Sequence, residues 1–300
     1  MLLSVFTPCY NSSATLERCY QSLLRQTYKN FEWILIDDNS TDNYKTQRLI
    51  LELKKKAPFP IKYYFLEENY FGARSMYKAC ELAKGDYLLL LDHDDEYFPI
   101  TLDRVSYYIK AFFSEEIVAL RAKCIDEFGK PIGKDYKVDT YITTEGFIRY
   151  RVGMMQELML VGKTSILKEI SAKIKSGFTY AFVAAQISQK YKSIYPNEAL
   201  RIYHTTSPNS FTNNSSLNLK FPDAKVEQNF ILWNSYAKYL IYKPIQTLKE
   251  FIHTNSLIYK YKIKYQKTPL TNNLLRFIFN LTYPLGMAKL LFYKFTKRQI

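Results

Sequence analysis

The sequence predicts an α/β fold. Its first 112 residues read as a doubly wound, nucleotide-binding half, and its last 80 as a mostly helical extension. Three observations predict this. Short, almost fully apolar runs alternate with amphipathic stretches as far as about residue 112, the pattern of a parallel sheet covered by helices on both faces. A cluster of polar residues follows each of the first four apolar runs. From about Pro222 the pattern becomes helical and is broken by prolines.

Each element follows from its own residues. Leu2–Thr7 is a buried strand, and Pro8–Ser13 a loop in which Ser12 or Ser13 caps the next helix. Leu16, Cys19, Tyr20, Leu23 and Leu24 recur at helical spacing. Phe31–Ile36 is a second strand. A helix through Leu49, Ile50 and Leu53 follows, and Pro58 and Pro60 end it. Ile61–Leu66 is a third strand, Ala73–Ala83 a helix stopped at Lys84-Gly85-Asp86, and Tyr87–Leu91 a fourth strand.

Beyond residue 112 the pattern changes. Ile117–Ile125 is a strand, followed by a turn-rich connection with Gly129, Pro131 and Gly133. Leu158–Val161 and Ser193–Tyr203 read as further strands, with a helix over Tyr180–Lys192 between them. Helices over Lys225–Tyr242, Ile245–Lys264 and Asn273–Phe295 are interrupted at Pro244, Pro269 and Pro284. The expected division is residues 1–220, split into a nucleotide-binding half (1–112) and an acceptor half (113–220), then a basic, aromatic extension over 221–300.

Composition narrows the function classes. A hydrophobic fraction of 47% over 300 residues supports a sizeable core and argues against global disorder. The net charge of +14 fits an anionic partner or a lysine-rich solvated surface. The 27 Tyr and 20 Phe suit sugar sites and membrane interfaces, which are apolar on one side and wet on the other. Cys9, Cys19, Cys80 and Cys124 form no C-x-x-C pair, so neither a disulfide framework nor a zinc site is indicated. The first ten residues lack a charged segment followed by an apolar run, so a reducing cytosol is the expected compartment. His93, His204 and His253 do not cluster in sequence.

In open α/β sheets, ligands bind beyond the carboxyl ends of the strands. The polar clusters sit at those ends: Thr7–Asn11, Asp37–Ser40, Glu67–Asn69 and Asp92–Asp95. The last is the sharpest. Packing three carboxylates at the end of an apolar strand costs repulsion, which a hard divalent cation relieves while bridging to diphosphate oxygens. A helix N-cap is the competing explanation, but a cap needs one Asp. Tyr10, beside Thr7 and Pro8, suits stacking on a base or a half-buried turn. Asp38 suits a base N–H or a cap on the next helix. Arg74 suits a base or phosphate contact or a solvated helix face. His93 is expected to face away from the metal, because alternate residues of an extended run face opposite sides.

The motifs Ser4-Val5-Phe6-Thr7-Pro8-Cys9-Tyr10-Asn11, Leu35-Ile36-Asp37-Asp38-Asn39-Ser40-Thr41-Asp42 and Ala83-Lys84-Gly85-Asp86-Tyr87, leading to Leu91-Asp92-His93-Asp94-Asp95, resemble the family-2 glycosyltransferases of GT-A-type fold, of the bacterial cell-surface polysaccharide kind. The resemblance is strong to about residue 112 and thins to about 205. It implies a Rossmann-like nucleotide-diphospho-sugar transferase domain. Thr7, Pro8 and Tyr10 would line the nucleoside pocket, and Asp38 would contact the base. Asp92 would hold ribose or metal, and Asp94 would ligate Mn²⁺ or Mg²⁺ between the donor phosphates. Arg74 stands near the family's basic contact, although Asn69-Tyr70-Phe71-Gly72-Ala73 departs from its glycine-rich pattern.

The implied reaction inverts the anomeric carbon of a UDP-favoured donor, with a carboxylate taking the proton of an attacking glycan or lipid-linked hydroxyl. Glu157 is the expected base, against a plain surface glutamate. A related segment that often carries an acid before its helix here shows Tyr180 without one. That motivates an alternative, a non-catalytic nucleotide-sugar-binding relative. His204 suits a donor phosphate or a packed position. A nucleic-acid binder lacks a zinc spacing or clustered basic stripe in the N-terminal half. A phosphatase would place its Asp-x-Asp after the first strand. The aromatic and basic C-terminal helices are expected to dock on the anionic cytoplasmic face of the cell membrane, as a peripheral partner surface, or to serve oligomerisation or core packing.

Overall fold

The computed structural model describes residues 1–154, 157–174, 180–206, 221–264 and 269–296. The expected positions at Met155, Gln156, Thr179, Lys297 and Arg298 lie outside them.

The first half alternates as expected: β1 (Leu3–Cys9), α1 (Leu16–Leu24), β2 (Phe31–Asp37), α2 (Lys45–Lys56), β3 (Ile61–Phe65), α3 (Ser75–Leu82), β4 (Tyr87–Leu90), β5 (Glu96–Tyr97) and α4 (Thr101–Phe112). Then follow β6 (Ile117–Asp126), β7 (Thr140–Thr143), a π-helical turn (Phe147–Val152), β8 (Met159–Lys163), α5 (Thr164–Ser171), α6 (Ala181–Lys190), β9 (Lys192–Pro196) and β10 (Ala199–Tyr203). The extension comprises α7 (Pro222–Tyr236), a 3₁₀ stretch (Ala237–Tyr242), α8 (Pro244–Tyr261), α9 (Asn273–Leu281) and α10 (Tyr283–Thr296).

The strands form one sheet in the order β3-β2-β1-β4-β8-β6-β10-β5, with β9 branching from β6 to β7. β3, β2, β1 and β4 are mutually parallel. β8 then runs antiparallel between β4 and β6. Alternation along each strand splits the core between the two faces. Val5, Trp33, Leu35 and Leu89 pack on one side with Leu16, Leu23, Leu53 and Leu102. Phe6, Ile34, Ile36, Leu88 and Leu90 pack on the other with Met76, Leu167 and Phe182. Both faces are covered, which explains the near-continuous apolar runs.

Some local expectations change. Neither Ser12 nor Ser13 caps α1 with its side chain; Thr15 is the N-cap and forms no side-chain cap bond. The Ser12 hydroxyl instead accepts the Tyr10 N–H, and its carbonyl accepts those of Thr15 and Leu16. The expected strand at Ser193–Tyr203 is two strands, because Asn197 turns away to donate its N–H to the Asp139 carbonyl. Its side-chain oxygen also accepts from Lys123 Nζ at 3.1 Å. The helix expected from Lys225 to Tyr242 tightens to 3₁₀ at Ala237, ahead of Pro244 at the start of α8. β5, β7, α5 and the π turn are additions to the expected order; α5 does carry helical spacing, with Leu167 and Ile170 buried.

The extension shares a core with the acceptor half. Phe230, Trp233, Phe251 and Phe279 form an aromatic cluster, with Trp233 and Phe251 ring centroids 4.4 Å apart. Tyr150 of the π turn and Ala185 of α6 belong to the same cluster.

Candidate active site

The parallel strands deliver their polar ends to one rim. The N–H of Asp38 bonds to the Cys9 carbonyl, and the Asn11 N–H to Ser40 Oγ at 2.8 Å. Asn39 Nδ2 reaches the Glu67 carbonyl at 3.1 Å, so the first three polar clusters are tied together. Asn11 and Asn39 both hold positive φ, which asparagine tolerates better than most residues.

The nucleoside-side candidates divide. Tyr10 is 39% exposed, and its hydroxyl lies 3.5 Å from Thr41 Oγ1, so its ring stands on the rim with accessible surface. Pro8 is half-buried. Thr7 turns inward: it is fully buried, and its hydroxyl accepts from Trp33 Nε1 at 2.9 Å. Its side chain is therefore spent inside the core.

Asp38 does not cap α2, which begins at Lys45 with Tyr44 as its N-cap. Its carboxylate instead anchors the loop after β3, accepting the N–H of Tyr70 at 2.8 Å and of Gly72 at 2.7 Å. Burial pushes its pKa up against the lowering effect of those two bonds. The anchored loop holds Phe71 at a positive φ of 53°, which is rare for a bulky residue. Phe71 packs edge-on against Phe221 at 4.8 Å. Arg74, exposed at the end of this loop, lays its guanidinium over the Tyr70 ring, 4.3 Å from the centroid.

Asp92–Asp95 lie immediately beyond β4, and α4 begins only at Thr101 with Ile100 as its N-cap, so none of these carboxylates caps it. They take different surroundings. Asp95 is fully buried and accepts the His204 N–H at 3.0 Å. Asp92 keeps 28% of its side chain exposed. Asp94 is nearly buried, and its carbonyl accepts from Arg18. Among the described residues no side chain pairs with the Asp94 carboxylate. His93 turns away, its Nδ1 lying 2.8 Å from Thr15 Oγ1. His204 Nε2 lies 3.0 Å from Glu96 Oε1.

The residue that organises the site was not legible as such in the sequence. Arg201, in the middle of β10, is fully buried. Its Nη1 donates to Asp92 Oδ2 at 3.1 Å, and its Nη2 to Glu157 Oε1 at 2.6 Å. Its Nε donates to Cys124 Sγ at 3.3 Å and lies 3.4 Å from Asp95 Oδ2. One guanidinium thus serves three carboxylates, the planar fork doing what a lysine could not. Burial pushes the Asp92 pKa up; Arg201 opposes this, and the Asp94 and Glu157 charges add to it. The signal available in the sequence was an arginine inside an otherwise apolar strand, Ala199–Tyr203.

The donor set suits a hard cation shared with a ligand. No group of three or more His, Cys, Asp or Glu able to hold a metal exists among the described residues. Two carboxylates are present, one of them without a described partner. A magnesium-like ion is normally held by one or two carboxylates plus substrate phosphates, so this pair fits it in that role.

The fold agrees with known transferases. S. aureus TarS 1–349, solved in complex with UDP-GlcNAc, superposes with a TM-score of 0.63 at 18% identity, covering 97% of this chain and 89% of that one. Mannosyltransferase PcManGT from Pyrobaculum calidifontis, solved with GDP-Man and Mn²⁺, gives a TM-score of 0.50 at 13% identity over 97% and 74% of the two chains. The architecture is the α/β GT-A-type fold with a mostly helical C-terminal region. A GalNAc(5)-diNAcBac-PP-undecaprenol beta-1,3-glucosyltransferase of Campylobacter jejuni is 27% identical over 227 residues, 72% of this chain and 69% of the relative. The chain spans 21% to 40% of the length of three other curated glycosyltransferases it matches. The family model for Glycosyl transferase family 2 matches residues 4–170, more than half of the sequence, and the chain belongs to that family.

Proposed function

We propose that this chain is a metal-dependent, inverting glycosyltransferase. It moves a sugar from a nucleotide-diphospho-sugar, with UDP favoured, to a glycan or lipid-linked acceptor in surface polysaccharide synthesis. The observation that carries the reading is the pair Asp92 and Asp94 at the mouth of β4, with Arg201 on one carboxylate and no described partner on the other. Supporting it, TarS binds UDP and UDP-GlcNAc, and the Campylobacter relative is named for a lipid-linked acceptor.

Asp92 and Asp94 would hold Mn²⁺ or Mg²⁺, which when bound neutralises charge on the leaving diphosphate. The remaining work belongs to the protein. Tyr10 and Pro8 offer the base a surface, and Asp38 keeps the loop carrying Tyr70 and Arg74 over the rim. Glu157, 44% exposed at its side chain, takes the proton of the acceptor hydroxyl as it attacks the anomeric carbon.

Residues 1–220 form the catalytic unit and 221–300 a docking extension. The extension carries 13 Lys and Arg against three Asp and Glu. Leu274, Phe277, Leu281 and Leu285 follow one another along α9 into α10, each more than half exposed. An apolar stripe on a basic background suits the anionic inner face of a cell membrane. No described helix is long and apolar enough to cross it.

The test is nucleotide release from UDP-, GDP- and dTDP-sugars with Mn²⁺ or EDTA, beside calorimetric donor binding. Metal-dependent release that Asp94→Ala abolishes is expected. Absence of both release and metal-dependent binding with every donor would sink the reading.

A further inference from the structure

The site contains one cation buried among three carboxylates. A charge desolvated so completely is costly unless its partners are well placed. Asp95 is as buried as Arg201, and only Nε approaches it, at 3.4 Å. Yet the two bidentate-capable nitrogens point outward. Nη1 goes to Asp92, 28% exposed, and Nη2 to Glu157, 44% exposed. The guanidinium is rigid and planar, so its two outer nitrogens keep a constant separation. Whatever sits on them is held at a constant separation too. Glu157 precedes β8, and Asp92 follows β4, the antiparallel neighbour of β8. Arg201 itself belongs to β10, locked between β6 and β5 by the pairs Arg201–Cys124 and Arg201–Tyr97. Its Nε contact to Cys124 Sγ at 3.3 Å and the Tyr203 ring, 5.5 Å from its guanidinium carbon, further restrain it.

We propose that Arg201 is a positioning residue that sets the distance between the donor-side carboxylate of Asp92 and the acceptor-side carboxylate of Glu157. This rests on the reading of Glu157 as the base. Arg201 reaches both carboxylates from inside the core. It holds one oxygen of Glu157, leaving the other to receive the proton, at a fixed offset from the end of the donor site where Asp92 stands. Since displacement of a reacting group by about 1 Å can cost about 100-fold in rate, a fixed spacer has a catalytic consequence of that size.

The experiment compares Glu157→Gln, Glu157→Asp, Arg201→Lys and the Arg201→Lys/Glu157→Asp pair in the full chain. It measures kcat, donor KM, melting temperature and calorimetric binding of UDP with Mn²⁺. Glu157→Asp keeps the carboxylate but withdraws it by one methylene from Arg201, and Glu157 is exposed enough for the fold to be unaffected. Expected are unchanged UDP binding and melting temperature for Glu157→Asp and a kcat about 100-fold lower. Arg201→Lys, where it folds, should lower kcat similarly and by more than it raises donor KM, and the pair should be no worse than either single variant.

A Glu157→Asp enzyme with near-normal kcat, alongside an inert Glu157→Gln enzyme, overturns the proposal while leaving Glu157 as base. Arg201→Lys with normal kcat does the same, as does multiplication of the two losses in the pair. An active Glu157→Gln enzyme removes the base assignment and the proposal with it. Wild-type protein that binds no donor removes the wider reading of the site.

Discussion

Gly72 donates its N–H to Asp38 Oδ2 at 2.7 Å. With the Tyr70 N–H on the other oxygen at 2.8 Å, one nearly buried carboxylate holds the loop after β3 above the nucleotide rim. Gly72 sits at a φ of +78°, a conformation a side chain would strain.

Asp38→Ala should therefore destabilise the fold as well as weaken donor binding. Hydrogen bonds to charged groups contribute about 1.5–3 kcal/mol each, and relaxation recovers part of two such losses, so about 2–4 kcal/mol is expected. Urea denaturation measures it, and a loss under about 0.5 kcal/mol would show that the loop does not depend on this anchor.

Asp94 behaves differently because no described side chain depends on its carboxylate. Asp94→Asn keeps the shape of the side chain and removes a charge that repels Asp92 and Asp95, so the melting temperature should stay within about 2 °C of wild type. It should abolish the part of UDP affinity that EDTA removes from the wild-type protein. Equal EDTA sensitivity in both proteins would take the metal away from Asp94.

Arg201→Met leaves Asp92, Asp95 and Glu157 facing one another without their shared cation. Removing one member of a buried ionic cluster costs about 3–5 kcal/mol. Equilibrium unfolding should show a loss of that order, and near-wild-type stability would contradict the ionic account of this core.

The extension should be acid-sensitive. Burial, with Lys289 and Lys225 nearby, lowers the His253 pKa to about 4. The Nδ1 of His253 lies 3.3 Å from Lys289 Nζ. An unfolded histidine titrates near 6.5, so between that pH and about 4 the unfolded chain binds more protons than the folded one. Stability is then full above about pH 6.5 and falls as pH drops through this window, by about 1–2 kcal/mol once solvent screening is allowed for. Melting curves at pH 7 and pH 4.5 should differ less for His253→Gln than for wild type; an equal difference would assign the sensitivity elsewhere.

Phe277→Glu with Leu281→Glu alters two residues that are each 61% exposed, so folding should be indifferent to the change. Flotation with phosphatidylserine vesicles should be lost, while phosphatidylcholine vesicles bind neither protein. Unchanged flotation would exclude the α9 stripe as the contact.

The sequence determined the sheet's parallel half and its polar rim. Strands covered on both faces are apolar at nearly every position, so runs such as Phe31–Ile36, with Glu32 its one charge, and Tyr87–Leu91 were readable in the sequence, and the polar clusters after them fell at the strand ends. The roles within the rim were less readable. A threonine turned onto Trp33 and an aspartate that anchors a loop look, in sequence, the same as residues open to a ligand. Short elements such as β5 and β7 lack the length to show a period, and pairing with β10 and β9 is what makes them strands. Only the tertiary structure decided the centre of the site. Arg201 is 109 positions from Asp92 and 44 from Glu157, and no local pattern relates three residues so far apart. The sheet order that threads β8, β6 and β10 beside β4 brings them together, and the cost of burying a charge requires that its carboxylate partners be there.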